Sequence, residues 1–313
     1  MTPALVFDGL LALLAVAAAM AAIGGRDLFG SVAFFIVYGL LIAIAWVRLD
    51  AIDVALAEAA IGAGLTGILL ISALARVERT ASSGESGEGG RLAKIAAALL
   101  CAGVAGALAW AALALDPQGA GLTPLISEAL PQAGVGNPVT AVLLNFRAYD
   151  TLLESIVLLF ALVAVWSLAD DGNWGGLPGL RQHARSDGVL ATFGRLLPPF
   201  GLVVAVYLVW AGSENPGGAF QGGTVLAAIW LLVAMAGITE LPRVSSLPLR
   251  AALVFGPAFF LAVGAIGALA GTFLGLAPAA AKAIILAVEA GLTLSIAATL
   301  ALLVAGSPQR TQG

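Results

Sequence analysis

Asp53 and Glu58 head an apolar stretch, DVALAEAAIGAGLTG over residues 53–67, that runs on to Ala75. A carboxylate in a lipid-surrounded helix costs about 2.5–3.5 kcal/mol on insertion scales, so it has a partner or a task, and proton or cation transfer is the task its chemistry suits. The two are five residues apart, about 140° around a helix, so they lie on different faces and form no shared dyad. Glu58, inside the run, is the candidate proton or cation site. Asp53 is read either in the same way or as the cap of its helix. Gly62, Gly64 and Gly67 follow at once and favour either close helix contact or a π-bulge that re-aims Glu58.

Two more segments carry charge into apolar surroundings. In NFRAYDTLLESIVLL, residues 145–159, Arg147, Asp150 and Glu154 recur at i, i+3 and i+7 and make one charged stripe. A solvated helix end accounts for the first two, whereas Glu154 lies about 9 Å inside a helix that starts near Ala148. Lys282 and Glu289 are seven apart, on nearly one face but separated by about 10 Å of rise. That is too far for a direct salt bridge, which leaves water or a charge from another subunit to link them. Between these charges lies the loop SENPGGAFQGG, residues 213–223. Its Gly and Pro give a tight turn whose freed carbonyls either ligate a cation or pack against a neighbour.

The elements that position these residues are membrane helices. The chain has 313 residues, of which 61% are hydrophobic and 10% charged, whereas a soluble domain carries about a quarter charged residues. Apolar runs near 4–22, 28–47, 54–75, 95–115, 148–168, 196–212, 222–239, 251–271 and 279–305 each approach the ~20 residues that cross a bilayer. The fold class is therefore an all-α polytopic membrane protein of about nine helices. The first run is read as a retained helix, because no Lys or Arg precedes Arg26 to supply the basic region of a secretory signal. With nine alternating crossings, Arg26, Arg76, Arg79, Arg91, Lys94, Arg181, Arg185, Arg195, Arg243, Arg250 and Arg310 fall on one side and only Arg48 and Arg147 near the other. Basic short loops stay cytoplasmic, so the N-terminus is placed outside, the C-terminus inside, and the protein in the cell's inner (plasma) membrane.

The charge is divided between faces and helices, so the net −4 gives no nucleic-acid footprint. One His (His183) and one Cys (Cys101) provide no zinc, haem or iron–sulfur ligand set, and there is neither a phosphate-binding Gly-rich motif nor a catalytic triad. No cofactor and no metal site are expected, and the chain does not read as a self-sufficient enzyme. The insert RVERTASSGESGEGGR (76–91) and the joint DDGNWGGLPGLRQHARSDG (170–188) have linker composition. They divide the chain into residues 1–78, 92–170 and 190–313. The second block is split by the Pro- and Gly-containing segment 116–138.

DVALAEAAIGAG (53–64) resembles the signature of the small membrane segment shared by Mrp-type Na+/H+ antiporters and membrane-bound hydrogenases, with Ala57 where Thr is usual. FRAYDTLLE (146–154) resembles the next segment of the same complexes, NPGGAFQGG (215–223) resembles the antiporter B-subunit motif, and the helix holding Glu289 resembles the end of that subunit. Ala219 replaces a usual Gly, and Ser213 and Glu214 stand where the motif commonly has a His. The resemblance identifies the first block with the hydrogenase D-type segment or antiporter A tail, the second with the hydrogenase E-type segment or A tail, and the third with the antiporter B-type segment. It implies a module related to the membrane arm of respiratory complex I, where ions move along a line of intramembrane carboxylates and lysines. Glu58 and Glu154 become candidates for that axis, with Glu289, Lys282, Asp150, Asp53 and Arg147 beside it. Glu214, Pro216, Gly217, Gly218, Phe220, Gly222 and Gly223 become the signature loop. The implied partners are large antiporter-like subunits, small membrane subunits, Na+, H+ and lipid. Three functions compete: an ion-gradient-driven antiporter subunit, a membrane-arm subunit of a redox-driven pump such as a hydrogen-evolving hydrogenase, and a structural adaptor.

Overall fold

The computed structural model describes residues 2–25, 27–81, 91–115, 121–179, 188–269 and 271–309. His183 and most of the insert after Ala81 lie outside these residues. Helix α1 (Pro3–Gly24) starts with Pro at its first position, and the Thr2 hydroxyl accepts from the Leu5 N–H. Helix α2 (Leu28–Arg48) is capped by Asp27, whose carboxylate accepts from the N–H groups of Phe29 and Gly30. The two form a hairpin closed by an Arg48–Asp8 ion pair at 2.7 Å.

The third crossing, Ile52–Leu74, is one rod with a changed pitch. Helix α3 (Ile52–Ala57) passes into a π-helical stretch, π1 (Glu58–Leu65), and then into α4 (Thr66–Ala81). Of the two readings of the glycines after Glu58, both hold. The π turn is present, and a Cβ on Gly67 would stand 2.6 Å from the Ile36 side chain, so this glycine also admits α2. The Thr66 hydroxyl donates to the Ile61 carbonyl at 2.8 Å, satisfying one acceptor that the widened turn displaces.

Helix α5 (Arg91–Ala114) follows. The segment expected as a loop over 116–138 holds a short helix, α6 (Thr123–Ala129), and a 3-10 turn. The fifth crossing is a broken helix. It comprises α7 (Pro138–Ala141), a second π turn, π2 (Val142–Phe146), a break at Arg147 with φ −131° and ψ 37°, and α8 (Ala148–Ser167). Helices α9 (Val189–Ala211), α10 (Ala219–Met235), α11 (Leu247–Leu269) and α12 (Pro278–Ala305) complete the described crossings.

Eight helices have the length and apolarity to cross a bilayer, and α10 is a shorter apolar ninth of 17 residues. Two boundaries depart from the sequence reading. The sixth helix begins at Val189 rather than near 196, and Pro198 and Pro199 lie inside it; membrane helices tolerate such prolines when neighbours satisfy the freed carbonyls. The signature loop ends at Gly218, and Ala219–Gly223 already form the first turn of α10.

α12 is the axis of the bundle: 67% of its apolar stretch is buried, against 28% or less for the other seven full-length spans. Its Leu292, Ile296 and Leu300 pack with Leu152, Phe260 and Leu231. Apolar burial gives little drive between helices in lipid, so close approach of small residues carries the packing. A Cβ on Gly256 would come within 2.8 Å of the Gly291 carbonyl, and one on Gly223 within 2.8 Å of Ile296.

The loops sort to two ends. Gly217 meets Asp53 and Glu214 meets Lys282 at one. At the other, the two-residue strands β1 (Leu177–Pro178) and β2 (Pro308–Gln309) pair antiparallel, and the Val244 N–H donates to the Gly176 carbonyl. This is the alternation that nine crossings require. In α5 none of the apolar window is buried, and in α1 only 11% is.

Candidate functional site

Asp53 does not cap its own helix. Ala51 occupies the cap position of α3 without a side-chain bond. The Asp53 carboxylate instead accepts from the Gly217 N–H at 2.9 Å and from Asn137 Nδ2 at 3.4 Å, and its carbonyl accepts from Gln221 Nε2 at 3.5 Å. It thereby ties the first crossing group to the signature loop and to the segment before α7, residues 164 and 84 positions away. Asn137 completes this junction. Its Nδ2 donates to the Asn215 carbonyl at 2.9 Å, and its Oδ1 accepts from the Val139 N–H at 2.8 Å. The Gly136 and Asn137 N–H groups both donate to the Ser213 carbonyl, and the Thr140 hydroxyl donates to the Gly212 carbonyl.

The signature glycines place this loop. Gly217 and Gly218 adopt φ of +154° and +126°, a region that glycine reaches without strain. A Cβ on Gly218 would stand 2.9 Å from Glu289 Oε1. The loop thus brings the first turn of α10 over Glu289, and the Ala219 N–H donates to that carboxylate. A helix N-terminus favours a negative group by about 0.3–1 kcal/mol. Glu289 is 3% exposed. Its Oε2 is buried without a hydrogen-bond partner among the described residues.

Asp53, Glu154 and Glu289 line one cavity of about 310 Å³, together with Thr140, Thr151 and Gln221. Three acidic residues from three separate crossings therefore line one space. Such a set can bind a cation by replacing water oxygens of its hydration shell, or take up a proton on a carboxylate oxygen.

Glu58 lies outside this cavity. It opens π1, and its carboxylate lies against the α-carbon of Gly62, where a Cβ would collide with it. Two predictions arise here. Glu58→Gln keeps size and hydrogen bonding but removes titration, so the complex assembles and exchange falls. Gly62→Ala displaces only the flexible end of Glu58, so it also assembles and lowers exchange, to a smaller extent. Vesicle exchange assays at equal complex content, judged by blue-native gel, test both, and full activity in both variants would remove Glu58 from the ion path.

The remaining charges form surface pairs. Arg147 bonds Asp150 at the break before α8, and Lys282 bonds Glu214 at 2.6 Å, all four about half-exposed or more. Lys282 is therefore matched by the signature loop and not by Glu289. Sequence reasoning missed Asn137, Thr140, Thr151 and Gln221, whose uncharged side chains carry no insertion cost large enough to mark them. Asn137 caps α7 in the structure, and an Asn directly before Pro138 is the signal that could have marked it as a cap; nothing local marks its reach to Asp53.

Two family models match parts of this chain. Residues 13–79 match the MbhD family model, which describes the D component of MBH, and residues 189–309 match the domain related to the MnhB subunit of Na+/H+ antiporter. An uncharacterized protein of Methanocaldococcus jannaschii is 32% identical over 160 residues, covering 46% of this chain and 56% of that protein. The chain thus spans just over half the length of this relative. The fold is similar to a chain in the structure of the Mrp complex from Dietzia sp. DQ12-45-1b, with TM-score 0.74 and 23% identity, over 97% of this chain and 35% of that one. It is also similar to a chain of the membrane-bound sulfane sulfur reductase, an archaeal respiratory membrane complex, with TM-score 0.52 and 21% identity, over 68% of this chain and 98% of that one. Asp53 and Glu58 fall in the first matched segment, and the signature loop and Glu289 in the second. The chain is thus a multi-pass membrane protein in which a segment matching the MbhD model and a domain related to MnhB lie in one polypeptide.

Proposed function

We propose that this chain is a subunit of a multisubunit cation/proton antiporter complex, with Na+ the expected cation, and that the cavity between Asp53, Glu154 and Glu289 handles the ion and the proton. The observation that carries this reading is the Glu289 carboxylate. It is buried at the bundle axis with Oε2 unpartnered among the described residues, and it faces a cavity that two other carboxylates line. A group this costly to bury persists where a proton or cation completes it. Glu58 at the π turn extends the carboxylate set toward the first block. The domains run 1–78, 92–170 and 190–313, and Asp53, Asn137 and Gly217 join them.

A second reading is favoured by the MbhD match and by the likeness to a respiratory complex. In it the same cavity serves a redox-driven pump whose hydrophilic subunits hold the metal centres. Purification with native partners separates the two: metal-bearing hydrophilic subunits in the complex support the pump, and cation-dependent proton release from vesicles without an electron donor supports the antiporter.

The exposed faces of α1 and α5 are the expected seats of partner subunits, so the chain expressed alone aggregates, and co-expression with small membrane subunits and a large antiporter-like subunit rescues it. A stable, transport-competent preparation of the chain alone would refute this. Orientation has its own test. With Cys101 replaced by Ala, a cysteine at Thr239 reacts with an impermeant reagent from the cytoplasmic side only and one at Ser127 from the outer side only. Reaction of both from one side would end the nine-crossing arrangement.

A further inference from the structure

A second cavity of about 280 Å³ lies next to the carboxylate cavity and is lined by Asp50, Asp53, Asn137, Glu214, Asn215 and Pro216 among others. It sits at the end of the bundle, among the loops before α3, before α7 and before α10. The two cavities share Asp53, Val54 and Val139 as lining residues. Asp53 therefore borders both of them. Its position there is fixed by the Gly217 N–H and by Asn137.

We propose that Asn137 is a positioning residue that holds the Asp53 carboxylate across the passage between the outer and inner cavities, and so sets how readily a cation passes inward. Three features suit it to this. Asn137 is 4% exposed, so its amide does not exchange freely with water. Its Oδ1 is engaged in capping α7, which leaves Nδ2 as the donor to both Asp53 and the Asn215 carbonyl. A rotation that released Asp53 would also have to break the bond to Asn215 or the cap. The outer cavity carries Asp50 and Glu214 beside Asp53. Lys282 neutralises Glu214, which leaves a net negative mouth that attracts cations rather than anions. The proposal rests on the reading of the inner cavity as the ion site for its effect on exchange, but not for the partition itself.

The test is cysteine accessibility in membranes holding the assembled complex, with Cys101 replaced by Ala. Ile52 lines only the outer cavity and Ala57 only the inner one. A cysteine at either position is labelled with a small cationic thiosulfonate added at the outer-cavity end. Asn137→Asp keeps the cap on the Val139 N–H but turns the donor facing Asp53 into an acceptor; Asn137→Ser keeps a shorter capping oxygen that does not reach Asp53. In both variants labelling at Ala57→Cys is expected to rise about tenfold relative to labelling at Ile52→Cys, the equivalent of about 1.4 kcal/mol, the charge that Asn137→Asp adds at the mouth acting on both probes alike. An unchanged rate at Ala57→Cys, an equal rise at both probes, or loss of assembly in both variants would overturn the proposal, because Asn137 would then hold the fold and not the passage. If labelling shifts as expected while cavity carboxylate variants retain full exchange, the partition stands and the inner cavity is not the ion site.

Discussion

Replacing Glu289 by Gln removes cation-driven proton exchange while the complex assembles at its normal level. The substitution keeps the side-chain volume, and the amide oxygen still accepts from the Ala219 N–H. Titration and negative charge are lost at the one position in the cavity where a buried oxygen has no other partner among the described residues. The new amide N–H group points where Oε2 did and leaves a buried donor unsatisfied, at about 1–3 kcal/mol. That cost falls on α12, which most of the bundle grips, so assembly withstands it. The rate of Na+-dependent proton release from inverted vesicles should fall about tenfold or more, a barrier increase of about 1.4 kcal/mol or above. Glu289→Asp keeps the charge but retracts it by one methylene, so it should retain intermediate activity. Full exchange in Glu289→Gln at equal complex content would make this carboxylate structural and move the ion path to Glu58 and Glu154.

Glu289 was legible in the sequence because a carboxylate inside an apolar run of that length is too costly to be incidental. The same logic located Asp53, Glu58 and Glu154, and the glycines after Glu58 announced the π turn of Glu58–Leu65. Which carboxylates meet was not legible. Asp53 and Glu154 face Glu289 across separations of more than a hundred residues, and helical periodicity reports only which face of its own helix a residue occupies. Hence Glu58, with the plainest signature, lies outside the cavity, while Asp53, read either as an ion site or as a helix cap, lines it. Lys282 and Glu289 show the same limit. Their shared face was read correctly, but Lys282 is matched by Glu214, 68 residues earlier. The fold was more readable than the site because lipid leaves the backbone few options beyond helices. The boundary errors fall where local chemistry misleads, at the Pro198–Pro199 pair inside α9 and at the glycines that begin α10.

Gly217→Ala should cost more of the assembled complex than any other change in the signature loop. Gly217 has φ +154°, and a Cβ there would collide with the Leu208 carbonyl oxygen. That carbonyl cannot retreat, because it accepts from both the Gly212 N–H at 3.1 Å and the Gly218 N–H at 2.9 Å. Gly217 cannot retreat either without giving up its N–H bond to Asp53. A non-glycine residue held in such a conformation costs about 1–3 kcal/mol, and a lost hydrogen bond to a carboxylate about 1.5–3 kcal/mol more. Two blocks would then lose one of the bonds that join them, and Gly218 could no longer hold the start of α10 against Glu289. The expected result is a large drop in complex content on blue-native gels and in thermal stability of what remains. Gly172→Ala is the control, since a Cβ there meets nothing within 4 Å, and its complex content should match the unaltered chain. Equal content in the two variants would show that the loop yields to a side chain at Gly217, and the clasp between Asp53 and the loop would then be a contact without structural weight.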